Sequence, residues 1–116
     1  MKPKRIQLSR RKGWKVPPNS VKVDRTTKWG NPFNVRYYVE QVGYSEQFAR
    51  DTACQFFRDC VTGKDEAINP DYQKKLDWIR ENVSQLRGKN LACWCRPGEL
   101  CHADVLLELA NKAVQP

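Results

Sequence analysis

No apolar run in this 116-residue sequence approaches the roughly 20 residues that span a bilayer, so a membrane partner is not expected. The basic start, Met1-Lys2-Pro3-Lys4-Arg5, leads into neither an apolar h-region nor a small-residue cleavage site, so a secretory signal is not expected either. There are no internal repeats and no low-complexity segments. The cysteines do not suit a secreted disulfide scaffold. They number five, an odd count, and three crowd into residues 93–101. These absences point to a cytoplasmic protein whose clustered cysteines bind metal or react.

Acidic residues are scarce in one place only. Residues 1–36 hold eleven Lys or Arg against a single acid, Asp24, for a charge of +10, while the rest of the chain carries −2. Such asymmetry suggests that the N-terminal third faces phosphate, in a nucleotide or a nucleic acid, the alternative being a solvated basic face. What is present suits one small domain over residues 1–116. A hydrophobic share of 40% with four Trp is enough for a packed core.

Arg5-Ile6-Gln7-Leu8 and Val21-Lys22-Val23-Asp24-Arg25 alternate as short strands. Ser45 is a candidate N-cap for a helix running to about Thr62 and stopped by Gly63. Phe48, Thr52, Phe56 and Cys60 form its apolar stripe, widened by Ala49, Ala53 and Phe57. Cys54 and Cys60 read as small buried apolar residues. A second helix starts at Asp71 and presents Leu76, Ile79, Val83 and Leu86 before Gly88. Asn90 to Cys95 reads as a buried strand and Arg96-Pro97-Gly98-Glu99 as a turn. A third helix then carries Ala103, Leu106, Leu107, Ala110 and Val114 on one face. The expected fold is α/β: a small single domain, Rossmann-like, with a partly parallel sheet and about three helices.

In open α/β sheets, ligands bind beyond the carboxyl ends of the strands, and residues 93–104 occupy such a strand end and helix start. Cys93 and Cys95 alternate with Trp94 and so share a side of the strand. Cys101 and His102 open the third helix, where backbone N–H groups and the dipole favour anions and a thiolate at Cys101. Asp104, in the first turn, is placed to orient His102. One reading makes Cys93, Cys95, Cys101 and His102 zinc ligands. The donor set matches a Cys₃His site, with tighter spacing than the usual two-to-four-residue gaps. A second reading makes Cys101, His102 and Asp104 catalytic, with Cys95 the most expendable cysteine and an activity pKa near the reference of about 6.5 for His102. A third leaves Cys93 and Cys95 in the core and His102 as a helix cap. The strand-end, helix-start setting favours the second.

Asp24-Arg25-Thr26-Thr27-Lys28-Trp29-Gly30-Asn31-Pro32-Phe33 is the other informative stretch. Arg25 and Lys28 suit phosphate, Trp29 suits stacking on a base, and Asn31 suits a base edge or ribose. Gly30 would let a ligand approach the backbone. The alternative is a packed turn in which Trp29 and Phe33 plug the core. Both stretches reach one pocket if their strands are neighbours.

Pro3-Lys4-Arg5-Ile6-Gln7-Leu8-Ser9-Arg10, the Asp24–Phe33 stretch, Leu91-Ala92-Cys93-Trp94-Cys95 and Cys101-His102-Ala103-Asp104-Val105-Leu106 together resemble the domain of unknown function 4326 family, over nearly the whole chain. Its members occur in bacteria and their phages, which implies a phage or prophage source. The ending is also similar to another uncharacterised α/β family, in which a strand ending in Cys leads to Cys-His at a helix start. More loosely, the arrangement is similar to Rossmann-like domains that bind nucleotides or cleave nucleoside N-glycosidic bonds. Those enzymes usually rely on a carboxylate, and only Glu99 and Asp104 lie near the motif.

The expected function is therefore nucleotide- or nucleoside-directed, with hydrolysis or transfer at a nucleoside as the reaction. Arg25, Lys28, Trp29 and Asn31 would bind the ligand, and the Cys-His segment is the centre. The rival is a non-catalytic, zinc-stabilised module that binds nucleic acid through residues 2–28 with steep salt dependence.

Overall fold

Leu91, Ala92 and Cys93 are buried because the strand that carries them takes the middle of the sheet. The computed structural model describes residues 2–112. Its strands β1 (Arg5–Gln7), β2 (Ser20–Lys22) and β3 (Asn90–Cys93) are ordered β1-β3-β2. Both outer strands run parallel to β3, with Arg5 opposite Leu91, Gln7 opposite Cys93 and Lys22 opposite Ala92. The described sheet is thus wholly rather than partly parallel. A central parallel strand is covered on both faces, and the unbroken apolar run Leu91-Ala92-Cys93 answers that demand. Residues 8–19, which join β1 to β2, contain no helix, so this connection lacks the helix of a Rossmann βαβ unit.

Among the described residues there are four α-helices, one more than expected. The addition is α1 (Val35–Tyr37), capped by the Asn34 side chain, which accepts from the Arg36 N–H. It runs into a π-helical turn, Tyr38–Val42, closed by Gly43 at φ 89°. These pieces are too short to show a helical period. Next comes α2 (Glu46–Val61), where the Ser45 side chain accepts from the Phe48 N–H at 3.2 Å. The third, α3 (Pro70–Asn82), begins one residue earlier than Asp71. Asn69 caps it, and proline in the first turn forfeits no helical hydrogen bond. A 3₁₀ turn, Val83–Leu86, extends it, and α4 (His102–Asn111) follows β3. Val114 lies outside the described residues. None of the described helices is long and apolar enough to cross a membrane.

Phe48 and Phe56 of the stripe expected on α2 turn away from the core, while Cys60 and the three residues expected to widen it lie inside. Phe57 is fully buried, and Ala49, Ala53, Cys60 and Val61 share its face, whereas Phe48 is 54% and Phe56 38% exposed. Alanines on the inner face let α2 approach its neighbours closely, and the outer rings pack on one another instead. Phe56 meets Phe33 at 5.6 Å and Phe48 meets Tyr44 at 4.6 Å.

Candidate functional site

Parallel pairing brings the carboxyl ends of all three strands to one edge. The stitching continues past the strands: the Leu8 N–H donates to the Cys93 carbonyl at 2.7 Å, and the Val23 N–H to the Ala92 carbonyl at 2.9 Å. Cys93 ends β3, Trp94 and Cys95 lead into the 96–99 turn, and Cys101 returns the chain to α4 as its N-cap residue. Cys101 is extended there and makes no capping bond, so its thiol is free to face the other cysteines. Its Sγ lies 2.8 Å from Cys95 Sγ and 3.4 Å from Cys93 Sγ, and all three sulfurs lie within 4.8 Å of one another. Cys95 is therefore an integral member of the group, not an expendable one. These three could hold a metal ion, and none of the described cysteines is in a disulfide.

The protons in this cluster do not follow the helix dipole. Cys95 donates toward Cys101 and Cys101 toward Cys93, and the bond from Cys101 is the main cause that holds the Cys93 thiol far below its ordinary range, at about 3. The same bonds, with burial, push Cys101 up. The lowering expected at Cys101 falls on Cys93 instead, because Cys101 is the donor in the bond between them.

His102 is buried, with Nε2 2.6 Å from the Val23 carbonyl and Nδ1 3.7 Å from Cys101 Sγ. A carbonyl only accepts, so the ring proton belongs on Nε2, and the Nδ1 lone pair faces Cys101. Burial pushes the imidazole below its ordinary pKa against the opposing pull of the Val23 carbonyl. Asp104 does not orient this ring. Its carboxylate accepts from Arg5 at 2.9 Å, and the same Arg5 guanidinium donates to the Glu99 and Arg96 carbonyls, both at 2.8 Å. Arg5 thus clamps the 96–99 turn from β1, while Arg50 of α2 holds the Glu99 carboxylate at 3.0 Å from the other side.

The two stretches singled out in the sequence do meet. A cavity of about 290 Å³ is lined by the three clustered cysteines and His102 on one side, and by Asp24, Arg25 and Asn31 on the other. Arg50 and Cys54 of α2 complete the wall. Arg25 donates to the Phe33 carbonyl at 3.1 Å. The Asn31 amide is committed to the scaffold, donating to the Ala53 carbonyl and accepting from the Phe33 N–H. Trp29 and Lys28 stay out of this wall. Trp29 is buried against Trp78, ring centres 4.8 Å apart, and the Lys28 ammonium lies over that same Trp78 ring. The stacking surface expected of Trp29 is spent on the core. Gly30 serves the loop itself rather than a ligand, since a Cβ there would sit 2.7 Å from Arg25 Cα and 2.8 Å from the Asp24 carbonyl.

Asp24, Arg50 and Cys54 are among the wall residues that sequence reasoning missed. Asp24 carried a signal as the single acid of the basic third. Arg50 and Cys54 lay inside a helix with nothing to set them apart. A shallower cavity of about 560 Å³ shares Arg25, Val35 and Arg50 with the first and adds Arg36.

A family model described as a domain of unknown function (DUF4326) matches residues 6–112. No curated protein and no solved structure matches the chain.

Proposed function

The chain belongs to the domain of unknown function family DUF4326, and from its site we propose a nucleotide- or nucleoside-directed protein. The observation that carries this reading is the 290 Å³ cavity, which joins the basic loop to the cysteine-histidine segment at the carboxyl edge of a parallel sheet. Its volume stands at the small end of the roughly 300–1,000 Å³ typical of ligand sites, a size for a nucleoside rather than a polymer. The adjoining cavity holds Arg36 paired with Glu40, and Arg50 paired with Glu46, so Arg25 is the cation it offers a phosphate. Arg50 brings little free charge, because Glu46 and Glu99 both pair with it. Hydrolysis or transfer at the nucleoside is the reaction class that fits, with the His102 Nδ1 lone pair as the proton acceptor next to Cys101.

Calorimetric titration of the full chain with nucleoside monophosphates, diphosphates and the parent nucleosides tests the reading. Saturable binding is expected, with Arg25→Ala weakening the phosphorylated ligands more than the nucleosides. An absence of heat and of thermal shift with every one of them would sink the idea.

The thiol group supports a second reading, in which the cluster holds zinc. Zn–S bonds of about 2.3 Å put tetrahedral sulfurs roughly 3.8 Å apart, so thiols at 2.8 and 3.4 Å need open only slightly. His102 lies outside that group of three, but one of its nitrogens donates to a carbonyl and the other is bare beside a thiol, which supports it as a fourth donor. Mass spectrometry after chelator-free, reducing purification should find stoichiometric zinc. Its absence, together with no spectral response to added cobalt, would end this reading.

A further inference from the structure

Asp24 is a buried acid without a cation. The residue is 8% exposed, and among the described residues no Lys, Arg or His lies within ion-pair distance of its carboxylate. Buried acids are normally paired, since removing a lone carboxylate from water is costly. Here two neutral donors do part of that work. The Thr26 hydroxyl donates to Oδ1 at 2.8 Å, and the Trp94 indole N–H donates to Oδ2 at 3.1 Å. An ionised carboxylate offers about four acceptor directions, so each oxygen keeps unused capacity. Asp24 lines the cavity, one residue before Arg25 and just past the carboxyl end of β2.

We propose that Asp24 accepts hydrogen bonds from the vicinal hydroxyls of a ribose, making the cavity selective for ribonucleosides and ribonucleotides over their 2′-deoxy counterparts. This inference rests on the nucleotide reading of the cavity. Two carboxylate oxygens, each with a free acceptor direction, match two neighbouring O–H donors as one fork meets another. Thr26 and Trp94 hold the carboxylate fixed, and the Arg10 guanidinium over the Trp94 ring at 4.3 Å steadies the indole. Arg25 next to it then draws the phosphate end of the ligand away from the cysteines, toward the adjoining cavity that it also lines.

The unaltered full chain decides the matter. It is titrated calorimetrically with adenosine, guanosine and cytidine monophosphates and with the 2′-deoxy form of each. The expected result is binding about tenfold or more tighter for every ribose form, the scale of a hydrogen bond to a charged group. Asp24→Asn should erase that preference while keeping the weaker affinity for the deoxy forms. This variant also turns one acceptor into a donor against Thr26 or Trp94, so its melting is checked first, and the ribose–deoxyribose comparison stands without it. Equal affinities for each pair would overturn the role of Asp24 and leave the nucleotide reading in place. Selectivity for guanine regardless of the sugar would overturn it too, assigning the carboxylate to a base edge. Failure of all six to bind would overturn both.

Discussion

The Nε2 atom of His102 lies 2.6 Å from the carbonyl oxygen of Val23, tying the first residue of α4 to the residue that follows β2. One bond thereby joins two segments 79 residues apart and fixes the tautomer that turns Nδ1 toward Cys101. It also brings Asp24 and Arg25 alongside the cysteines, since both follow Val23 directly.

His102→Phe tests that tie. The ring is replaced by one of similar volume, so packing against Phe57 at 5.4 Å is largely kept, while the Val23 carbonyl loses its donor. A buried acceptor left unpaired costs about 1–3 kcal/mol. Urea unfolding should show a loss of that size, and a change of a few tenths would mean that the bond does not hold the edge together.

Arg5 should matter more than the charge it neutralises. Its side chain is 13% exposed and serves two backbone carbonyls of the 96–99 turn besides Asp104, whose own side chain is 48% exposed. Arg5→Met removes bonds to two carbonyls, one part-buried and one exposed, and should cost about 1.5–3 kcal/mol, the scale of a hydrogen bond from a charged group. Asp104→Asn removes only a half-exposed ion pair, worth up to about 1 kcal/mol. The turn positions Cys95 and Cys101, so Arg5→Met should also speed their alkylation by iodoacetamide. Equal losses in the two variants would show that Arg5 acts through the ion pair alone.

Much of the site was legible because its chemistry is compressed into ten residues. Cys93 to His102 combines a strand end, a Gly98 turn and a helix start, and each part follows from local residue preferences. The sides of α2 were not legible, because apolar residues mark two of its sides: Phe48 and Phe56 lie on one, Ala49, Ala53 and Phe57 on the other. Periodicity reports that apolar faces exist, not which of them meets the sheet. Trp29 failed for a related reason, since an indole that packs and an indole that stacks on a ligand are the same residue in a sequence.

That ambiguity yields a stability test. Phe57→Ala empties a fully buried site and should cost about 3–5 kcal/mol, whereas Phe48→Ser, at a half-exposed position, should stay within about 0.5 kcal/mol of the parent. Thermal and urea unfolding of both variants would expose a wrong assignment as a reversal of this order.

Gly30 carries a sharper prediction. An added Cβ would meet the Arg25 and Asp24 backbone at under 3.0 Å, and backbone cannot swing aside as a flexible side chain does. Gly30→Ala should therefore force the 24–30 loop open, at about 1–3 kcal/mol for overpacking. That loop supplies Asp24 and Arg25 to the cavity, so ligand affinity should fall with stability.

The metal reading separates the five cysteines into two groups. Cys93, Cys95 and Cys101 hold their sulfurs within 4.8 Å of one another, while Cys54 touches the same cavity from α2 outside that group and Cys60 is buried elsewhere on the helix. Serine at any of the first three removes a thiolate donor and should abolish stoichiometric zinc, whereas Cys54→Ser and Cys60→Ser should retain it. His102→Ala should lower zinc affinity sharply if Nδ1 is the fourth donor, and its effect should appear in the cobalt spectrum as a changed ligand field with the thiolate charge-transfer bands kept. Loss of those bands in His102→Ala, or retention of zinc by Cys95→Ser, would contradict the ligand set. The comparison of Cys95 with Cys54 is the most telling. Both border the cavity, and only the chain reversal between β3 and α4 puts one of them in bonding distance of the other thiols.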